Sequence, residues 1–366
     1  MYAFLFAAIV GLAAASPRPQ DVDFGSVADS LPSPTLLGPA ISAISDAVSY
    51  ASTAVLSSIF SAASAEATNN SDDSYRRKRD TATTTCQAQP SGYGPVTSPD
   101  TVSAFLNNRA IFSSASAAAS AAPAAYSNAF TNLQGSTQQT GYLGLHTLQS
   151  YDVAKCASYC DSSAYCEAFN IYFERDPTVN PNDPGCSNPQ SLTNIKCTLY
   201  GYPLSANTAT NTGQYRNKFQ VVIAGSNGYV KHWQAPALTN FTGPVTLPAA
   251  INAPFDPVTG KNTYLPRKSY DTGRFDPSLC AAACQAQTLY DKAHTNGTTT
   301  YDPCNFFNAY ILVKDGVPQG TVCSMYSEPW NSSYATNYGQ TGSDGSVYTI
   351  AESFSYTLGT QDPGSL

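Results

Sequence analysis

Charged side chains are scarce in this sequence. Asp, Glu, Lys and Arg make up 12% of its 366 residues, about half the usual share of a soluble protein. The formal net charge is −7, and the acidic excess persists beyond residue 79. Because an acidic chain repels polyanions, we expect no nucleic acid and no anionic lipid among its partners.

Several catalytic signatures are missing as well. The histidines His146, His232 and His294 form no His-x-x-x-His pair and lie beside no Gly-x-Ser-x-Gly elbow, which argues against zincins and the common serine hydrolases. The sequence has no Gly-rich phosphate loop and no Cys-x2-Cys pair for zinc. We therefore expect no metal and no cofactor, and we interpret each histidine as a surface or loop residue.

Long apolar runs are absent too. No segment is long enough to cross a bilayer, so we predict no membrane span. The short apolar run at residues 4–15 ends on small residues. We interpret residues 1–15 as a signal peptide cut after Ala15, although no basic residue precedes the run. The polar tail, residues 358–366, has no anchor signal and is predicted to be disordered.

Residues 16–79 differ in composition from the rest, being rich in Ser, Ala and Pro and free of Cys. Apolar residues at helical spacing predict a helix over about 40–65. Four consecutive cations, Arg76 to Arg79, follow. They are either a solvated charge run or a site where a kexin-like protease cuts after Lys78-Arg79. Secretion and the change in composition favour cleavage, which would make residues 16–79 a pro-segment.

Cysteines and sequons both indicate the secretory pathway. All ten cysteines follow Arg79, and their even number in an exported chain favours disulfides over metal binding or catalysis. Sequons predict N-linked glycans in exposed turns at Asn69, Asn240, Asn296 and Asn331. We therefore expect a secreted glycoprotein that is extracellular or located in the cell wall.

One phrase occurs twice in the chain: CEAFNIY at residues 166–172 returns loosely as CNFFNAY at residues 304–310. Further short blocks recur around it in the same order. Such an ordered recurrence predicts a tandem duplication. The predicted parts are a first unit at 80–230 with an N-terminal extension, a linker at 231–240 and a second unit at 241–357.

Each unit is predicted to hold a helix. Asp152 and Asp276 stand where an N-cap belongs, and Pro277 follows at the first helical position. Helices over about 153–161 and 277–288 place each Cys-x3-Cys pair on one helical face. Because the two side chains of such a pair are parallel, they are poor partners for one another and should reach other elements.

Aromatic and β-branched segments follow each helix and predict strands. The predicted strands cover residues 168–173, 197–202, 219–224, 306–313, 321–326 and 346–351. The Ala/Ser-rich stretch 113–125 has no counterpart in the second unit and is either a helix or a loose surface excursion. The simplest fold is α+β, in which two disulfides staple each helix onto an antiparallel sheet.

A helical Cys-x3-Cys, a Cys-x2-Phe-x2-Tyr strand and a later Cys-x2-Tyr strand resemble the PAN/apple domain. The resemblance covers roughly 141–230 and 264–357, and implies a tandem PAN/apple-like protein of the fungal secreted type. In that family nested bridges join the first cysteine to the fourth and the second to the third. Carried over, the implied pairs are Cys156–Cys197, Cys160–Cys166, Cys280–Cys323 and Cys284–Cys304. The two cysteines left over, Cys86 and Cys186, are expected to pair with each other.

Three acidic residues are weak candidates for catalysis. Asp271-Thr272-Gly273 is the triplet of aspartic proteases, but the sequence has no second triplet to supply a paired carboxylate. Glu167 and Glu174 flank the first predicted strand, as a glycosidase pair could, and nothing specific supports that role. We therefore expect that the protein is not an enzyme.

Binding is the remaining class of function. Tyrosines recur in register in both halves, and we interpret them chiefly as packing residues. Exposed aromatics such as Trp233 and Trp330 are candidates for stacking on sugar rings or anchoring a partner, although a sequon at Asn331 adjoins Trp330. The resemblance implies a non-catalytic protein that recognises carbohydrate or glycoprotein. The alternatives are a structural wall protein without a defined ligand and a secreted hydrolase on an unfamiliar scaffold.

Overall fold

The computed structural model describes the strand Asp46–Ala47 and residues 86–271, 274–295 and 297–366. The predicted signal peptide, the processing site at Lys78-Arg79 and the sequons at Asn69 and Asn296 lie outside the described residues. Of the residues 40–65, which were predicted to form a helix, the structure describes only Asp46 and Ala47. These two form a strand, so the helix prediction is wrong there; pairing with a sheet edge outweighs the local helical pattern.

Two antiparallel sheets form the framework, and we call the halves that carry them the first and second lobe. The first-lobe strands are β1 Asp46–Ala47, β2 Tyr126–Leu133, β3 Tyr142–Leu148, β4 Ala168–Pro177, β5 Ser191–Tyr200, β6 Gly213–Arg216 and β7 Phe219–Lys231. Its helices are α1 Val102–Leu106, α2 Arg109–Ser120 and α3 Val153–Ser162. The second lobe comprises β8 Phe241–Leu247, β9 Lys268–Tyr270, α4 Pro277–Ala293, β10 Phe306–Lys314, β11 Val317–Tyr326, β12 Gly339–Thr341 and β13 Val347–Leu358.

The two sheets share one connectivity. The first has the order β1-β3-β5-β4-β7-β2, with β6 also paired to β7. The second has the order β9-β11-β10-β13-β8, with β12 also paired to β13. Apart from β1, each strand of the first sheet has a counterpart at the same place in the second, as the repeated sequence blocks predict. The α+β class and the antiparallel sheets are confirmed.

The helices α3 and α4 begin where their caps predict. The Asp152 carboxylate accepts a hydrogen bond from the Lys155 N–H at 2.9 Å, and Asp276 accepts one from the Ser278 N–H at 2.9 Å. Helix α4 extends beyond its predicted end at residue 288 to Ala293, because no Gly or Pro interrupts that stretch. Each cap therefore fixes where its cysteine pair enters the core.

Five disulfides tie these helices and the chain start to the sheets. The pairs are Cys86–Cys186, Cys156–Cys197, Cys160–Cys166, Cys280–Cys323 and Cys284–Cys304. Their Cα atoms are between 5.2 and 5.9 Å apart, and none of the ten cysteines is free. The pairs coincide with those implied by the PAN/apple resemblance, with Cys86–Cys186 as the additional link.

The repeated phrase has a structural explanation in the first lobe. Its asparagine, Asn170, is fully buried on β4. The amide nitrogen of Asn170 donates to the Ser226 hydroxyl and to the Asn227 carbonyl, both at 2.8 Å. The amide oxygen accepts from the Thr137 N–H at 2.9 Å. One side chain therefore joins β7 to the segment that leads into β3.

The second lobe repeats this network in the same places. Asn308 on β10 donates to the Ser353 hydroxyl at 2.9 Å and to the Phe354 carbonyl at 3.0 Å. Its oxygen accepts from the Ile251 N–H at 2.9 Å. Because a buried amide must find partners for both ends, the phrase recurs for reasons of folding.

Several elements differ from the sequence-based expectation. The edge strands β2 and β8 were not predicted, because β2 lacks a clear apolar alternation and β8 contains Pro244. The Ala/Ser-rich stretch forms the end of helix α2, which buries Ile111 and Ala115 and stops before Pro123. No helix in the described part of the chain is long and apolar enough to span a membrane.

The two lobes contact one another directly. The Arg274 guanidinium lies 3.1 Å from the centre of the Tyr165 ring, and the Phe275 N–H donates to the Gly201 carbonyl at 2.9 Å. Farther along, the Ser205 hydroxyl donates to the Gly316 carbonyl at 2.7 Å. The lobes are therefore docked rather than joined by the linker alone.

Candidate functional site

A shallow cavity of about 480 Å³ lies on the outer edge of the second lobe, and we call it the edge pocket. It is lined by Tyr264, Pro266, Arg267, Lys268 and Ser269. The last two residues belong to β9, the outermost strand of the sheet, where Lys268 pairs with Cys323. Cys323 belongs to β11 and is bonded to Cys280 of helix α4. The edge strand β9 that carries the pocket is therefore paired with a strand that a disulfide fixes.

Leu265 fixes the chain beside this pocket. Its side chain is buried in the second-lobe core, and its N–H donates to the Met325 carbonyl at 2.8 Å. Of the three residues that follow Leu265, Pro266 and Lys268 are exposed and Arg267 is half-buried. The alternation of an extended chain thus exposes Lys268 and leaves Arg267, on the side of Leu265, half-buried.

The edge pocket combines cations with neutral hydroxyls. The Ser269 hydroxyl has no hydrogen-bond partner among the described residues. Burial raises the pKa of Tyr264, while the charge of Arg267 opposes the rise, so the phenol remains protonated at physiological pH. Both hydroxyl oxygens are buried, so the groups that the edge pocket offers to a ligand are the exposed Lys268 and the half-buried Arg267, which can donate to carbohydrate oxygens.

Trp330 lies next to the edge pocket. Its indole N–H donates to the Thr263 hydroxyl at 3.0 Å, and its ring meets Tyr334 edge to face with 4.7 Å between centroids. The side chain is half-buried, so part of the ring remains available to a ligand. The sequon residue Asn331 is exposed and caps the turn Ser332–Tyr334.

Trp233 is placed differently. It packs edge to face on Phe275 at 5.4 Å and on Phe354 at 5.7 Å. Nearby, the Tyr356 hydroxyl donates to the Pro236 carbonyl at 2.8 Å. These contacts fasten residues 231–240 to the second lobe. They give Trp233 a packing role and favour Trp330 as the aromatic ligand contact.

A second shallow cavity, of about 500 Å³, lies beside the sequon at Asn240. Its lining residues include Asn240, Thr242, Gln285 and Gly359. Asn240 is exposed, so a glycan attached there would cover the mouth of this cavity. The edge pocket is therefore the better candidate for a ligand.

The carboxylates considered for catalysis do not converge. Glu167 immediately precedes β4 and Glu174 lies on it, so seven residues, or about 23 Å of extended chain, separate them. A glycosidase pair needs its carboxylates within about 10 Å of one another. The main-chain carbonyl of Asp271 accepts from the Thr140 hydroxyl at 3.2 Å, and Thr272 and Gly273 lie outside the described residues.

Glu174 belongs to a buried ion-pair cluster. Lys196 contacts the Glu174 carboxylate and lies 3.8 Å from Asp176. Burial and the neighbouring Asp176 raise the pKa of Glu174, whereas for Lys196 the nearby carboxylates outweigh burial and raise its pKa. The strand register places Leu312 and Val322 at the positions of Glu174 and Lys196 in the second lobe. The same site is thus apolar in one lobe and charged in the other.

The histidines have local contacts. His146 stacks on Tyr159 with 3.8 Å between ring centroids. His232 shares a 2.7 Å hydrogen bond with the Ser127 hydroxyl, and His294 donates to the Tyr290 carbonyl at 2.7 Å. Among the residues that the structure describes, no three His, Cys, Asp or Glu side chains form a group that could hold a metal ion.

No family model, curated protein or solved structure matches the chain. The PAN/apple assignment therefore rests on the cysteine order, the capped helix and the strand phrase. Sequence reasoning missed the edge pocket. The adjacent cations Arg267 and Lys268 close to Tyr264 were its signal, but nothing in the sequence shows that they line the outer edge of a sheet.

Proposed function

We propose that this is a secreted, non-catalytic binding protein with two PAN/apple-like modules that recognises carbohydrate or glycoprotein outside the cell or at its wall. The edge pocket is the proposed contact surface. The two cations Arg267 and Lys268 in the lining of this pocket carry the proposal. The ligand class is a glycan or glycoprotein surface whose oxygens accept hydrogen bonds from these cations.

The form of the surface supports binding rather than hydrolysis. The edge pocket is open and carries no carboxylate in its lining, while Glu167 and Glu174 lie far apart along the extended chain. The half-buried Trp330 extends the pocket with an aromatic face, and aromatic faces stack on sugar rings. A rigid, cross-linked edge loses little entropy when it binds, which favours recognition of a weakly binding polymer.

The test compares retention of the disulfide-intact protein on chitin, β-glucan, mannan and uronate-bearing glycans. We expect retention on at least one of these surfaces, and the double variant Arg267→Ser with Lys268→Ser should bind about tenfold more weakly, a loss of about 1.4 kcal/mol. The matched control, Arg216→Ser with Lys218→Ser on the first lobe, should bind as the wild type does. Flow-through of the wild type on every surface would instead favour a structural wall protein.

A further inference from the structure

The outer edge of the first sheet differs from that of the second. In the mature lobe this edge is β3, Tyr142–Leu148, which spans seven residues without a charged side chain. The equivalent edge strand of the second lobe, β9, spans three residues and carries Lys268. Short, charged edges protect themselves against further pairing, whereas long apolar edges attract another strand. The open edge of β3 is therefore prone to pair with another strand unless a segment covers it, whereas the edge of β9 is not.

The strand β1 supplies this cover. Asp46 lies opposite Leu145 and Ala47 opposite Gly144, in antiparallel register on the free side of β3. The second sheet has no strand at this place among the described residues. The added strand is therefore a feature of the first lobe, and it comes from the segment before the predicted processing site.

Because of the position of β1 in the chain, cleavage at the predicted processing site would separate it from the rest of the first lobe. Cys86, bonded to Cys186, anchors the start of the continuously described chain. The dibasic site at Lys78-Arg79 lies between β1 and Cys86, and no cysteine precedes Cys86. A cut after Arg79 would leave β1 on a separate peptide with no covalent link to the lobe.

We propose that the pro-segment is a detachable edge cover of the first sheet, seated through pairing of Asp46–Ala47 with β3. After cleavage this pairing is what keeps it at the edge, because no covalent link remains. Its departure exposes the uncharged edge of β3. The bare edge then pairs with the same edge of a second copy, since an antiparallel edge is complementary to itself.

Hydrogen exchange on the uncut protein tests the cover independently of cleavage. The variant Asp46→Pro with Ala47→Pro removes two N–H donors from β1. Amides of β3 that point away from β5 should exchange at least about tenfold faster in this variant. The control Ala28→Pro with Asp29→Pro changes the same residue types elsewhere in the pro-segment and should leave β3 protected. Equal exchange of β3 in the wild type and the β1 variant would overturn the proposal.

A second arm tests retention after cleavage. The full chain is cut with a protease specific for Lys-Arg and passed over a sizing column at rising concentration. We expect the wild-type pro-segment to co-elute with the body, and the β1 variant to lose it and form dimers as concentration rises. Release of the wild-type pro-segment at the same rate as that of the variant would contradict retention. A bare body that stays monomeric would contradict edge-to-edge pairing.

Discussion

Single buried side chains determine how each sheet is joined to its neighbouring segments. Asn170 and Asn308 each satisfy a main-chain N–H, a main-chain carbonyl and a serine hydroxyl. Among uncharged side chains only the amides of asparagine and the longer glutamine offer two N–H donors together with a carbonyl acceptor. The asparagine in the repeated phrase is thus a requirement of the fold.

Replacing this asparagine should weaken the lobe that contains it. Asn308→Ala leaves the Ile251 N–H and the Phe354 carbonyl buried without their partner, so we expect a loss of about 3 kcal/mol in the free energy of unfolding. Urea denaturation measures it. The exposed Asn182→Ala is the control and should stay within about 0.5 kcal/mol of the wild type. An equally small effect at Asn308 would refute the role assigned to the amide.

Glu167 should make stability depend on pH. It is 1% exposed, and burial, followed by the charge of Glu352, raises its pKa well above the ordinary 4.5. The folded state therefore holds this proton more tightly than the unfolded state does. The contribution of Glu167 to stability is complete below about pH 4.5 and is lost as pH rises through the raised pKa.

The variant Glu167→Gln removes this titration and preserves the shape of the side chain. We expect its melting temperature to match that of the wild type near pH 4 and to exceed it at pH 8. The exposed Asp302→Asn serves as the control, with the same small offset at both pH values. A difference between Glu167→Gln and the wild type that does not change with pH would contradict this account.

At the scale of elements, the pair β4–β5 and its counterpart β10–β11 form a natural comparison. Both are central, disulfide-linked hairpins. The first buries Glu174 and Lys196 where the second buries Leu312 and Val322. A buried ion pair costs desolvation energy that an apolar pair does not. The second lobe therefore shows that leucine and valine can replace the charged pair at these two positions of the hairpin.

Substitution toward the second-lobe residues should be strongly non-additive. Lys196→Val alone leaves two buried carboxylates without their cation and should cost about 3–5 kcal/mol. The double variant Glu174→Leu with Lys196→Val still leaves the buried Asp176 without its cation, although Asn194 continues to donate to it at 2.8 Å, so its loss should be clearly smaller than the sum of the two single losses. Urea denaturation of the two single variants and the double variant measures the coupling. Additive losses would show that the cluster does not act as a pair.

The sequence predicted some elements well and others poorly, for physical reasons. Caps at Asp152 and Asp276 are local signals, and so both helix starts were predictable. The strands after each helix were predictable because aromatic and β-branched residues are concentrated there. The edge strands β2, β8 and β9 were not predicted, since polar or proline-containing edges carry little hydrophobic pattern, and β3 was not predicted because Gly144 and His146 interrupt its apolar run.

At the scale of the whole molecule, the lobes form one docked body. Trp233 lies in the segment between them and packs on Phe275 and Phe354, while Arg274 stacks on Tyr165. Such contacts join residues far apart in sequence, so neither the docking nor the edge pocket could be predicted from a linear pattern. The pairing of cysteines could, because the resemblance to the PAN/apple domain implies which cysteines of each unit are joined.

Peptide mapping of the protein under non-reducing conditions tests the central claim, that two disulfides pin one helix to the sheet in each of two equivalent lobes. The account predicts linked peptides for Cys156–Cys197 and Cys160–Cys166, and for Cys280–Cys323 and Cys284–Cys304. A link between Cys156 and Cys160, or between Cys280 and Cys284, would contradict it, as would free thiols at these positions.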